Sequence, residues 1–89
     1  YRELEVEPLL SELRRQAESI RARELARALD DLGELDPAVS ARIEHLSRTL
    51  VKRLLHDPTV RARERAGEGN ADEVAHAVRD LFGLSSPSE

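Results

Sequence analysis

The 89-residue chain has no cysteine, methionine or tryptophan, and only one tyrosine and one phenylalanine. Without cysteine there is no disulfide framework, no thiolate nucleophile and no cysteine-ligated zinc, which suits a reducing, cytoplasmic setting. With two aromatic rings in the whole chain, stacking on nucleic-acid bases is unavailable as a binding mode. No apolar run approaches the ~18 residues of a membrane span and no signal peptide is visible, so no membrane role is expected. Neither GxGxxG nor GxxxxGK[ST] occurs, which removes the dinucleotide and nucleotide fingerprints. The alternating β-branched and aromatic runs of strands are also missing. The sequence opens at Tyr1, without methionine and already inside a helical pattern, and so reads as a piece of a longer protein.

What remains is the composition of helices. Hydrophobic residues make up 39% of the chain, mostly Leu, Ala, Val and Ile, and 36% of it is charged, from Glu, Arg and Asp. The length allows one small domain, near the size at which a single core is only modestly stable. A net charge of −4 argues against a nucleic-acid-binding module, although the charges are interleaved rather than blocked.

Three acidic-Pro pairs, Glu7-Pro8, Asp36-Pro37 and Asp57-Pro58, punctuate the chain. Proline suits the first helical position, where a missing N–H costs nothing, and it pushes the residue before it out of the α region. Asp36 and Asp57 are therefore expected to cap helices. Glu7 caps poorly, which leaves open a first helix running through Pro8. That helix is expected from about Pro8, or from Tyr1, to Leu32, with Gly33 stopping it. A second runs from Pro37 to about Leu55, and a short third from Pro58 to about Ala66. After the turn Gly67–Asn70, Asn70 and Glu73 form a capping-box-like start for a fourth helix reaching Phe82. Gly83 and Leu84 resemble a Schellman ending. Residues 1–84 are thus expected to be one helical domain, and 85–89 a disordered tail.

The apolar positions carry more information than the boundaries. Val6, Leu9, Leu10, Leu13, Ala17 and Ile20 form one stripe on the first helix, and Leu25, Ala28, Leu29 and Leu32 form another. At about 100° per residue the second lies roughly 90° around from the first. On the second helix Val39, Ile43, Leu46, Leu50 and Leu54 form a stripe that Val51 and Leu55 widen. A first helix of ~25 residues is roughly 38 Å long, longer than the shorter helices after it can cover. This is more apolar surface than one small helix pair buries. The expected fold is therefore all-α: a small helical bundle with one long N-terminal helix, completed by a second copy in a two-fold dimer. Leu25, Leu29, Leu32, Val39, Ile43, Leu46, Leu50 and Leu54 are the expected interface residues.

Candidate chemistry is thin. Asp72, His76 and Asp80 lie four apart on one helix face, but dispersed ligands on a solvated face are the ordinary pattern of an exposed helix, and no metal is expected. His56 falls at the expected end of the second helix, where a cation suits the last carbonyls. No nucleophile or pocket accompanies it, so no catalytic residue is assigned. Arg61, Arg63 and Arg65, with Arg14, Arg15, Arg21, Arg23 and Arg27, have two readings. One is contact with nucleic-acid phosphates, and the other is a solvated face with i,i+3 ion pairs such as Arg61 with Glu64.

The stretch Leu46 to Glu64, LSRTLVKRLLHDPTVRARE, resembles the C-terminal domain of the glutamyl-tRNA reductase family. The flanking EVEPLLSELRRQAESIRARELARAL is similar to the end of that family's long connecting helix, and LFGL to its usual ending. Together they span Tyr1 to Leu84. Glu5, Val6, Pro8, Leu50, Val51, Leu54, Leu55, His56, Pro58, Thr59, Arg61, Arg63 and Leu81 to Leu84 carry the pattern. Lys52-Arg53 replaces a common Asn-Lys pair, and Ala62 replaces a larger apolar residue, which weakens the expected packing of the third helix. The resemblance implies a dimerisation domain that is itself non-catalytic and binds no cofactor. It implies a cytoplasmic, homodimeric parent oxidoreductase in tetrapyrrole biosynthesis. That parent uses NADPH to convert glutamyl-tRNA to glutamate-1-semialdehyde, binding the tRNA through other domains. The alternative is a tRNA-contacting helical module that uses the arginine-rich faces.

Overall fold

The computed structural model describes residues 3–84, so the expected tail at 85–89 lies outside the described residues. Helix α1 spans Glu3–Leu32 and runs through Pro8 without interruption. It ends at Gly33, whose φ of 76° is the left-handed conformation that stops a helix at little steric cost. The Gly33 N–H donates to the carbonyls of Leu29 and Asp30, at 3.2 and 3.3 Å. Helix α2, Pro37–Arg65, starts as its sequence predicts. Pro37 occupies its first turn, and the Asp36 carboxylate accepts the Ala38 N–H at 2.9 Å.

The expected break at Asp57-Pro58 is not there. Helix α2 continues through Pro58 to Arg65, so His56 and Asp57 are exposed mid-helix residues, neither a C-terminal nor an N-terminal cap. Pro58 leaves the Leu54 carbonyl without its helical donor. Water can serve that carbonyl, because Leu54 is among the most exposed residues of the helix. Packing holds the helix on either side: Leu55 lies against the core, and Ala62 and Ala66 are buried in it. The expected second and third helices are thus one, and the described residues hold three α-helices rather than four.

A single wide π-type turn, Ala66–Asn70, leads from α2 into α3, Ala71–Phe82. The change of direction is made at Gly69, with φ 94°. Asn70 precedes α3 but its side chain makes no capping bond, so the expected capping box does not form. Its φ and ψ of −105° and 27° are not the extended conformation from which a capping side chain reaches back. The other end of α3 follows expectation. Gly83 is left-handed at φ 65°, and the Leu84 N–H donates to the Arg79 carbonyl at 2.9 Å, the Schellman bond.

The core lies at one end of the molecule. Val6, Leu9, Leu10 and Leu13 of α1 meet Ala62 and Ala66, with Ala71, Val74, Ala75 and Val78 of α3 closing over them and Leu84 completing the cluster. The four alanines let three helix backbones approach closely. Ala62, where a larger residue was expected, is therefore a buried contact within α2. Gln16 ties the far end of α3 to α1 by donating to the Phe82 carbonyl at 2.8 Å. With only 12 residues, α3 is about 18 Å long and cannot follow the two long helices further. The described chain is accordingly elongated, 51 × 27 × 17 Å. Between Leu13 and Ala62 the one buried residue is Arg21.

Candidate functional site

Beyond the core, the second half of α1 and the first half of α2 form a bare hairpin. Its apolar face is the candidate site. Leu32, Leu46, Leu50 and Leu54 are 56%, 56%, 53% and 72% exposed, and Val39 and Ile20 are close to half exposed. Leu25, Leu29 and Ile43 are half-buried between the helices. None of the eight expected interface residues belongs to the core of the single chain.

The helix period explains the exposure. On α2, Val39, Ile43, Leu46, Leu50 and Leu54 cluster within about 80° of arc at 100° per residue. Val51, Leu55 and Ala62, which turn toward α1, sit roughly 120° around from them. One helix neighbour covers one sector, so the Leu46–Leu50 sector is left to solvent. Between this sector and α1 runs an open groove of about 470 Å³, lined by Ile20, Leu25 and Ala28 on one side and Ile43, Leu46 and Leu50 on the other. Leu29, Leu32, Val39 and Leu54 lie outside the groove's lining.

Helical periodicity places Ile20 with Val6 to Leu13 on one stripe. The structure divides that stripe: its first four members are buried, Ala17 is half-buried, and Ile20 is uncovered. The available signal was length, since a 12-residue helix reaches only part of a 30-residue one.

Arg21, at the groove's edge, was also missed. Its guanidinium donates through Nε to Glu18 at 2.9 Å, through Nη2 to the other Glu18 oxygen, and through Nη1 across to Ser47 Oγ of α2 at 3.1 Å. Ser47 Oγ in turn donates to the Glu44 carbonyl at 2.7 Å. Arg48 bonds Glu44 at 2.8 Å and lies 3.6 Å from Glu18. This network joins the two helices where no apolar core does. Glu18 three residues before Arg21 was the sequence signal.

The arginines divide into engaged and free. Arg21, Arg23, Arg27 and Arg63, half of those weighed for phosphate contact, have a carboxylate within 4.0 Å. Arg63 bridges α2 to α1 through two bonds to Glu7, at 2.7 and 3.0 Å. The expected Arg61–Glu64 pair is not among the ion pairs of the described residues. Asp72, His76 and Asp80 are exposed on α3, and no cluster of three or more metal-capable side chains occurs among the described residues. No helix there is long and apolar enough to cross a membrane.

These pairs set the acid response. Hydrogen bonds from Arg63, Arg21 and Arg48 hold the carboxyls of Glu7, Glu18 and Glu44, respectively, below their ordinary value of 4.5. A carboxyl with a lower value in the folded state adds stability above its unfolded value, and that stability is lost as pH falls through the folded value. Urea midpoints are therefore expected to hold from pH 7 to about 4.5 and to fall below it. The triple Gln variant of Glu7, Glu18 and Glu44 is expected to show a shallower fall. An equal slope would mean the pairs do not matter.

The description glutamyl-tRNA(Glu) reductase, dimerisation domain, belongs to the family model that matches residues 1–84. Among curated proteins the chain is similar to glutamyl-tRNA reductase of Chloroflexus aurantiacus, 47% identical over 77 residues, which cover 86% of this chain and 18% of that protein. It is likewise similar to that of Rubrobacter xylanophilus, 40% identical over 84 residues, 94% of this chain and 19% of the relative. For that of Syntrophotalea carbinolica the figures are 38% over 89 residues, 99% and 20%. The chain thus spans about a fifth of the length of the relatives it matches. No solved structure matches it.

Proposed function

This chain belongs to the glutamyl-tRNA reductase dimerisation-domain family, and we propose that its uncovered hairpin face is the surface through which two copies join. The observation that carries this reading is the row Val39, Leu46, Leu50 and Leu54 on α2 beside Leu32 of α1, five large apolar side chains left near half exposed or more on one hairpin. Fully removing a leucine from water contributes on the order of 1.5–3 kcal/mol. A two-fold contact counts each residue twice. Leu25, Leu29 and Ile43 supply the floor of that interface.

In the whole protein the domain serves an enzyme that reduces glutamyl-tRNA to glutamate-1-semialdehyde with NADPH, in the cytoplasm, where charged tRNA is made. The tRNA and the NADPH are bound by other domains, and residues 1–84 form the pairing unit. Direct tRNA contact by this domain has less support, because half of the arginines considered for it are held by carboxylates of the same chain.

Sedimentation equilibrium tests the pairing. A chain of 10.0 kDa is expected to sediment at about twice that mass and to dissociate on dilution. A single-chain mass at high concentration, with full helix content, would overturn the proposal.

A further inference from the structure

We infer that the two copies pair with their α2 helices antiparallel, Val39 of one lying opposite Leu54 of the other and Ile43 opposite Leu50. The inference rests on the reading that the hairpin face joins two copies, and adds how they are oriented. Two observations carry it.

The first is where the apolar stripe stops. On α2 it occupies residues 39–54, about 22 Å of helix. Asp36 stands just before it, and Asp57 and Arg61 follow on the same sector. A stripe bounded by charge at both ends is matched end to end by a second copy in either direction. It therefore fixes the register, which for antiparallel helices sets Val39 against Leu54, and leaves the direction to the charges.

The second is the distribution of charge along the molecule. Residues 28–41, the tip of the hairpin, contain Asp30, Asp31, Glu34 and Asp36 and no basic residue. Residues 48–65 contain Arg48, Lys52, Arg53, Arg61, Arg63 and Arg65 against Asp57 and Glu64. Of these cations, Lys52, Arg53, Arg61 and Arg65 have no carboxylate within 4 Å among the described residues. Arg53 and Arg61 fall within about 60° of the stripe, on the face a partner would meet. The acidic residues of α3 belong to a helix that packs over buried Ala62 and Ala66, roughly 120° or more around α2 from the stripe.

Parallel pairing would set the two acidic tips side by side, eight carboxylates with no cation between them. Antiparallel pairing carries each acidic tip alongside the partner's Arg61, with Arg53 and Arg65 within two turns. Asp57, which this register sets opposite the partner's Asp36, and Glu64 are the acidic residues on that stretch of the face, two carboxylates against the three cations Arg53, Arg61 and Arg65. Opposite charges brought within a Debye length of ~8–10 Å attract, and like charges repel. The helix dipoles favour the same choice, since antiparallel neighbours place opposite ends together.

The absence of native cysteine makes the test clean. Val39→Cys and Leu54→Cys are prepared singly, their masses checked in reducing buffer, then refolded together and oxidised. The expected result is a covalent dimer joining position 39 of one copy to position 54 of the other. Neither variant oxidised alone is expected to link to its own copy, because ~22 Å separates like positions and a disulfide needs Cα atoms within ~7 Å. The pair Ile43→Cys and Leu50→Cys is expected to behave in the same way. Val39→Cys and Leu54→Cys each locking to their own copies would overturn the inference, as would a dimeric mass with no mixed cross-link from either pair. A single-chain mass in reducing buffer for the unsubstituted protein would instead remove the pairing itself.

Discussion

Leu50→Asp is expected to turn the dimer into a monomer of unchanged helix content. Leu50 contributes nothing to the core of the single chain. It is 53% exposed on the hairpin face, more than half of α2 away from the cluster around Ala66. An aspartate there meets water in the monomer and costs little beyond helix propensity, a few tenths of a kcal/mol. In the paired state it places an unpartnered carboxylate in an apolar contact, and the two-fold brings in a second. Each such burial costs several kcal/mol unless the group takes up a proton. A combined penalty of at least ~4 kcal/mol corresponds to roughly a thousandfold weaker association. Sedimentation reads the mass, and circular dichroism reads the helix content. An unchanged dimer would mean that the copies join through another face. Loss of helix with loss of pairing would mean that the hairpin needs its partner in order to fold.

Pro58→Ala is expected to raise stability by about 2 kcal/mol. Proline in a helix interior is ~3 kcal/mol less favourable than alanine, from the missing donor and the clash with the preceding turn. Proline recovers ~0.4–1 kcal/mol of this by restricting the unfolded chain. Alanine at 58 restores the bond to the Leu54 carbonyl and opens no cavity, because Pro58 is exposed. Urea unfolding of the two proteins at one concentration measures the difference, since association also shifts the midpoint. The sign decides between two structures. If residue 58 began a separate helix, its proline would be pre-organised for that place and its removal would destabilise.

That proline shows where local reading stops. Asp36-Pro37 and Asp57-Pro58 are the same local signal, yet one starts a helix and the other lies inside one. After Gly33 the chain has no helix to continue, and Asp36 is free to adopt the extended geometry of a cap. At Pro58 a continuous helix keeps Leu55, Ala62 and Ala66 on one line against α1, and that burial outweighs one lost hydrogen bond. The Asn70 cap failed for a related reason. The π-type turn carries the backbone from α2 into α3 without passing through an extended residue.

The candidate face was more legible than the helix boundaries. The stripes holding the eight residues expected at an interface exceed what one chain can bury, and all eight are at least partly exposed. Periodicity reports which residues share a side of a helix, and that holds whatever the helix packs against. It does not say where along the helix a neighbour stops, so Ile20 was placed with buried residues it does not join.

The helical class, the ends at Gly33, Asp36 and Gly83, the apolar stripes and the family are all legible in the order of residues. Each depends on contacts within a few residues or on direct likeness to known chains. Long-range packing is what carries α2 through Pro58, limits α3 to the first part of α1, and buries Arg21 between two helices. Those outcomes are set by competition between local preference and burial against residues distant in the chain. The same short reach of α3 leaves the hairpin face without a cover.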